Sequence, residues 1–73
     1  MAAKNVTASE IVARVNSLEP MTRVLVGGER VLCAHRTEVD RAWLIRFVWR
    51  EFGAAVSPAT ITTAFQTLAA LAE

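Results

Sequence analysis

Gly27 and Gly28 stand between two runs of strand-forming residues in the segment TRVLVGGERVLC, Thr22 to Cys33. Glycine tolerates the positive φ angles that a two-residue hairpin turn requires, so the pair obliges the flanking runs to fold back as antiparallel strands. With those two residues as the loop, Val24 faces Val31 and Thr22 faces Cys33 on one side. Leu25 with Arg30, and Arg23 with Leu32, lie on the other. The valine side is expected to be core, and the other side is a leucine pair ringed by arginines. A lone hairpin is marginal in water and must pack on a helix.

Helices are expected on both sides of it. Thr7 and Glu10 have the spacing of a capping box, with Val6 and Ile11 at the hydrophobic-staple positions. Ile11, Val15 and Leu18 then form one apolar stripe, and Pro20 ends the helix because the residue before proline is pushed out of the helical region. In TEVDRAWLIRFVWREFG, Thr37 is the expected N-cap, Glu38 and Asp40 suit the positive end of the helix dipole, and Gly53 supplies a left-handed C-terminal residue. The last helix opens with Ser57 as N-cap and Pro58 at the first helical position. Its stripe is Ile61, Phe65, Leu68 and Leu71 or Ala72, with Ala64 beside it. Its outer face is Ala59, Thr60, Thr62, Thr63, Gln66 and Thr67. The expectation is an α+β fold in the order α-β-β-α-α, one domain over residues 1–73, with residues 1–6 flexible.

A chain of 73 residues buries only about 60% of its unfolded surface, so its stability is marginal. Its composition still favours folding, at 53% hydrophobic against 21% charged residues. Eight basic and seven acidic residues leave a net charge of +1, too little to steer the chain toward nucleic acid or an anionic membrane. Seven of the eight basic residues are arginine, the cation best suited to interfaces. With a single cysteine, Cys33, no internal disulfide can form, which fits a reducing cytoplasm. Neither a signal peptide nor an apolar run of membrane-spanning length is visible, so a cytoplasmic chain without membrane attachment is expected.

Catalytic equipment is missing. Cys33 and His35, two apart on an expected strand, leave on one face and could approach each other, yet no third group recommends itself to orient them. One Cys and one His fall short of a closed metal site. VGGE matches no phosphate-binding spacing. The reading is a non-enzyme with no catalytic residue, no metal and no cofactor.

The third element carries the binding expectation. On a helical wheel Leu44, Ile45, Val48, Trp49 and Phe52 form the natural core face. Val39, Trp43 and Phe47 form a second arc interleaved with Arg46 and Arg50. Either the hairpin covers that arc, or it is a docking surface of the residue types that dominate binding hot spots. On the docking reading, Val39, Trp43, Phe47, Arg46 and Arg50 hold a protein partner. The alternate surface is Arg23, Leu25, Arg30 and Leu32 on the hairpin.

VWREFGAAVSPATITTAFQTLAAL resembles a helix-turn-helix. Val48 and Phe52 sit on the supporting helix, Gly53 in the turn, and Val56 and Ser57 lead into a second helix with Ile61 and Phe65 inside. The turn is about two residues longer than the tight form, Trp49 stands where a small residue usually lets the helices approach, and the hairpin precedes the pair instead of following it. The resemblance implies DNA contacts from Ser57, Thr60, Thr62, Thr63 and Gln66. Phosphate contacts come mainly from Lys and Arg, however, and from Glu51 onward the chain has neither. The expectation is therefore a small transcription regulator that docks on protein, monomeric or weakly dimeric. In size and lack of catalytic equipment it is similar to the very small bacteriophage proteins, one of a Xanthomonas phage among them, that inhibit host RNA polymerase. That likeness implies a polymerase subunit as partner, in the host cytoplasm. The alternatives are a sequence-specific DNA-binding repressor and a structural or assembly subunit.

Overall fold

The computed structural model describes residues 6–35 and 37–73. Its elements are α1 (Ala8–Leu18), β1 (Met21–Val26), β2 (Glu29–Ala34), β3 (Thr37–Glu38), α2 (Arg41–Phe52) and α3 (Pro58–Leu71). The fold is α+β in the expected order with one short strand added. The strands form a single antiparallel sheet, β1-β2-β3.

The helix ends follow from their capping residues. Thr7 Oγ1 accepts from Glu10 N at 3.2 Å, satisfying one of the orphaned donors of α1. Glu10 Oε2 is buried with no hydrogen-bond partner among the described residues, so that oxygen does not complete a reciprocal capping box. Glu19, forced extended by Pro20, closes the helix at φ −139°. At the other end of the chain Ser57 Oγ accepts from Thr60 N at 3.3 Å. Gly53 ends α2 in the left-handed region at φ 65°. The expectation of flexibility over residues 1–6 lies outside the described residues except at Val6, which is half-buried against the core.

The start of α2 departs from expectation. Its N-cap is Asp40, whose Oδ1 accepts from Trp43 N at 2.8 Å. Thr37 and Glu38 pair instead with Ala34 and Cys33 in β3. The cause is Val39, which donates its N–H to Leu32 O at 2.8 Å and buries its side chain. That extended bond keeps the chain on the sheet until Asp40.

The hairpin has the expected two-residue loop and register, with Val24 opposite Val31 and Arg23 opposite Leu32. Its core side is mainly the opposite of the one expected, since on the valine side Cys33 alone is buried. Met21, Leu32 and Ala34 join the hydrophobic core, whereas Val24 is exposed and Val31 half-buried. The arginines made the Leu32 face look like the solvent face. Arg23 escapes that conflict by lying along α3, where its Nη2 donates to Ala69 O at 2.9 Å and its Nη1 pairs with the Glu73 carboxylate. A long arginine stem can cover apolar surface while its head finds polar partners at the rim. Beyond that point every strand residue but the half-buried Val31 is exposed, and the hairpin projects from a molecule of 47 × 21 × 18 Å.

α3 packs against both α1 and α2 and touches β1. Its buried stripe is Ile61, Ala64 and Leu68, with Phe65 half-buried and Leu71 exposed. In α1, Ile11, Val12 and Val15 are buried and Leu18 is exposed, so the stripe is displaced from Ile11, Val15, Leu18 toward Val12.

The largest difference is in α2. Leu44, Phe47 and Val48 are buried, while Ile45 and Trp49 are 53% and 61% exposed. At 3.6 residues per turn this places the core side roughly a quarter-turn from the expected one. The periodicity could not select, because Trp43, Leu44, Ile45, Phe47, Val48, Trp49 and Phe52 leave no wholly polar side. Packing does, because the side carrying Leu44, Phe47 and Val48 joins Ile61, Ala64 and Leu68 of α3 in one core cluster, and two contacts accompany that facing. Trp43 stacks on Phe47, with ring centroids 5.2 Å apart. On the α1 side, Arg14 Nε reaches Glu51 Oε1 at 3.1 Å.

Replacing Phe47 by Ala should therefore cost about 3–5 kcal/mol, most of the stability of so small a domain. Trp49→Ala should change stability by no more than about 0.5 kcal/mol. Urea unfolding of the two variants measures both, and equal losses would contradict this orientation of α2.

Candidate functional site

Turning Ile45 and Trp49 outward builds a feature that sequence periodicity concealed. Along α2, Arg41, Ile45 and Trp49 form one row at intervals of four, and Arg46 and Arg50 form the next. The turn after Gly53 brings Ala54, Ala55 and Val56 alongside. α3 then adds Pro58, Ile61 and Thr62 at its N-terminal end. Together these residues line a groove of about 570 Å³ whose walls are mainly apolar.

The charge around this groove is one-sided. Arg41, Arg46 and Arg50 line it, and no acidic residue does. The other five basic residues of the chain are outnumbered by its seven acidic ones, so a nearly neutral chain concentrates its positive charge at one place. The ion pairs among the described residues lie elsewhere, at Arg14–Glu51, Arg23–Glu73 and, at 4.0 Å, His35–Glu19. The N-terminus of α3 adds a partial positive charge of its own.

Arg50, in the last turn of α2, sits where the helix dipole favours a cation, but the other two placements are locally unfavourable. Arg41 opens α2, at the end where the helix dipole favours an anion. Arg46 and Arg50 are four apart, a like-charge spacing that costs a few tenths of a kcal/mol. Local folding needs explain neither Arg41 nor Arg46.

Of the residues expected to hold a partner, Arg46 and Arg50 are exposed and belong to the groove. Val39 and Phe47 are corrected, because both are buried in the core and cannot present a surface. Trp43 is half-buried and stacked on Phe47, so it packs as part of the fold. Of the two alternatives for that arc, it is covered. On the hairpin, Leu32 is buried and Arg23 is engaged by Ala69 and Glu73, which leaves Leu25 and Arg30 exposed.

The residues named for DNA contact lie on α3 and at its N-cap. Ser57 Oγ is occupied at the cap and lies 3.0 Å from Thr60 Oγ1. Thr63 and Gln66 are exposed, and Thr62 is half-buried at the groove. Cys33 and His35 do not share a strand face. β2 ends at Ala34, and His35 lies exposed in the turn at φ 51°, while Cys33 is buried. Among the described residues no group of three or more His, Cys, Asp or Glu could hold a metal, and no helix is long and apolar enough to cross a membrane.

The chain matches no family model, no curated protein and no solved structure.

Ile45, Trp49 and Arg41 are the site residues that sequence reasoning missed. A signal was present in the strained placement of the arginines, since charges set against the helix dipole and against each other mark the side of α2 that must reach solvent. Two single-tryptophan variants check the assignment. The chain with Trp43→Phe, which keeps Trp49, should emit at longer wavelength and be strongly quenched by iodide, an anion the arginines attract. The chain with Trp49→Phe should be blue-shifted and protected. The reverse pattern would overturn the site.

Proposed function

We propose that this chain is a small non-enzymatic regulator that works by docking on another protein. The α2–α3 groove receives an amphipathic helix of that partner whose rim carries acidic residues. The observation that carries this reading is an exposed tryptophan over an apolar groove rimmed by three arginines and no acid. Buried Trp and Arg dominate interface energetics, and rim charge sets orientation and association rate. Trp49 and Ile45 are the apolar anchors. Arg41, Arg46 and Arg50 pair with the partner's carboxylates, which offsets the local penalties described above.

The transcriptional setting rests on the helix-turn-helix resemblance of α2 and α3. Within it, the partner proposed is a subunit of bacterial RNA polymerase, as for small phage-encoded inhibitors acting in the host cytoplasm.

A second reading, a DNA-binding regulator, is favoured by one placement. Arg41, Arg46 and Arg50 flank the groove that Thr62 of α3 also lines, so the last helix is not wholly without nearby positive charge. The apolar walls and exposed indole weigh against it, because phosphate contacts need cations and gain nothing from Ile45 or Trp49.

Calorimetric titration of purified bacterial RNA polymerase with the chain tests the first reading. Trp49→Ala should weaken binding by at least ~2 kcal/mol, about 30-fold in Kd, with little change in the melting temperature. Loss of no affinity would remove the anchor. DNA binding through three arginines would instead give a slope near −2.7 in log K against log salt, from about −0.9 per phosphate. Absence of any gel shift at low salt would eliminate it.

The arginine placements give a separate check. Arg46→Glu replaces a repulsive pair with an attractive one to Arg50, so it should raise stability by a few tenths of a kcal/mol while lowering partner affinity. A variant that loses both stability and affinity would show that Arg46 is structural.

A further inference from the structure

The outer edge of β1 (Met21–Val26) lies apart from the groove, which contains no residue of that strand. β1 is the edge of the sheet, and past Arg23 its residues are exposed, Leu25 at 71%. A two-stranded ribbon with little packed against it is marginal in water, and an unpaired apolar edge invites another strand. We infer that this edge pairs antiparallel with the same edge of a second copy of the chain, about a two-fold axis at Val24.

The register follows from the ladder. Leu32 O accepts from Val39 N at 2.8 Å, so the polar backbone groups of Leu32 point toward β3. Arg23, opposite Leu32, must then turn its own N–H and C=O away from β2, and by alternation so do Met21 and Leu25. Hydrogen bonds to a second β1 can form only through these three residues. Two-fold registers centred on Arg23 or on Thr22 set Val24 opposite Thr22 or Pro20 of the second copy and lose the valine-on-valine pair. One centred on Leu25 places Arg23 opposite Gly27, which lies in the turn at φ 58°, and leaves one bonded pair within the strands. The register centred on Val24 sets Arg23 opposite Leu25 of the second copy, twice, giving four hydrogen bonds without opposed charges. Because Arg23 is neutralised by Glu73, it adds no repulsion across the axis.

The side chains agree with that register. Val24 meets Val24 of the second copy, and Val31 lies behind each, so a continuous row of four valines crosses the new sheet. Such β-branched cross-strand pairs are the unit of sheet stabilisation. The uncovered half of each hairpin thereby gains a neighbour of matching chemistry.

Engineered cysteines in a Cys33→Ala chain, which otherwise holds no thiol, test the register. Two copies of Val24 would lie with Cα atoms about 4.5 Å apart, within disulfide reach. Two copies of Val26 would be offset by four residues, about 13 Å along the strand. Val24→Cys should oxidise to a covalent dimer at least ten-fold faster than Val26→Cys. Sedimentation equilibrium of the unmodified chain should show 8.0 kDa monomers giving way to dimers as concentration rises. Val24→Lys, which sets like charges on the axis, should weaken that dimer at least ten-fold with an unchanged circular dichroism spectrum. Val24 lies outside the core cluster, so the fold should survive. A chain monomeric at every concentration, or equal oxidation of the two cysteine variants, overturns the proposal.

Discussion

α3 has one apolar stripe, Ile61, Ala64 and Leu68, and it must serve two helices. Ala64 at its centre is fully buried, and its small side chain allows a close approach of backbones that a larger residue would prevent. Everything else is arranged around that shared seam. α1 delivers Ile11, Val12 and Val15 to it, and α2 delivers Leu44, Phe47 and Val48. A stripe this narrow can cover only one side of α2, which carries apolar residues on nearly all of its circumference. The side left uncovered contains Ile45 and Trp49. The groove is thus a consequence of core geometry, occupied by residues that a purely structural helix would have made polar.

The hairpin shows the same economy of cover. Its root is held by Met21, Leu32 and Ala34 in the core and by Arg23 across the end of α3. Its outer half has no helix to lie on, since α3 ends at Leu71. The described residues leave both the outer half of the hairpin and the second side of α2 uncovered. Both uncovered surfaces combine apolar side chains with arginine, and they differ in kind. The groove offers a concave site between helices, whereas the hairpin offers a backbone edge.

Charge separates the two surfaces as well. The groove gathers Arg41, Arg46 and Arg50 without an acid, while at the hairpin root Glu73 neutralises Arg23. On the proposed reading, that concentrated positive rim selects an acidic partner and steers its approach. A neutralised arginine leaves the ladder and the valines to decide pairing. Near neutrality of the whole chain therefore conceals a local asymmetry that only placement in space makes visible.

Local chemistry was legible in the residues themselves. Thr7, Ser57, Pro20, Gly53 and the Gly27–Gly28 pair set the ends of helices and the hairpin register, because caps and turns depend on neighbours within a few positions. Ile61, Ala64 and Leu68 were legible too, since α3 has a side of threonine, glutamine and alanine to contrast with them. Arg46 and Arg50 were legible as exposed residues, being charged and four apart, and both line the groove. The facing of α2 was not, because seven apolar residues in and around one helix make several orientations equal in burial. Nor was the facing of the hairpin, since Arg23 passes for a solvent residue until the Ala69 carbonyl and Glu73 are brought beside it. The N-cap at Asp40 also depended on a remote bond, from Val39 to Leu32. Where a residue's role depends on neighbours close in the chain, the order of amino acids is sufficient; where surfaces compete for one limited seam, packing in three dimensions chooses among them.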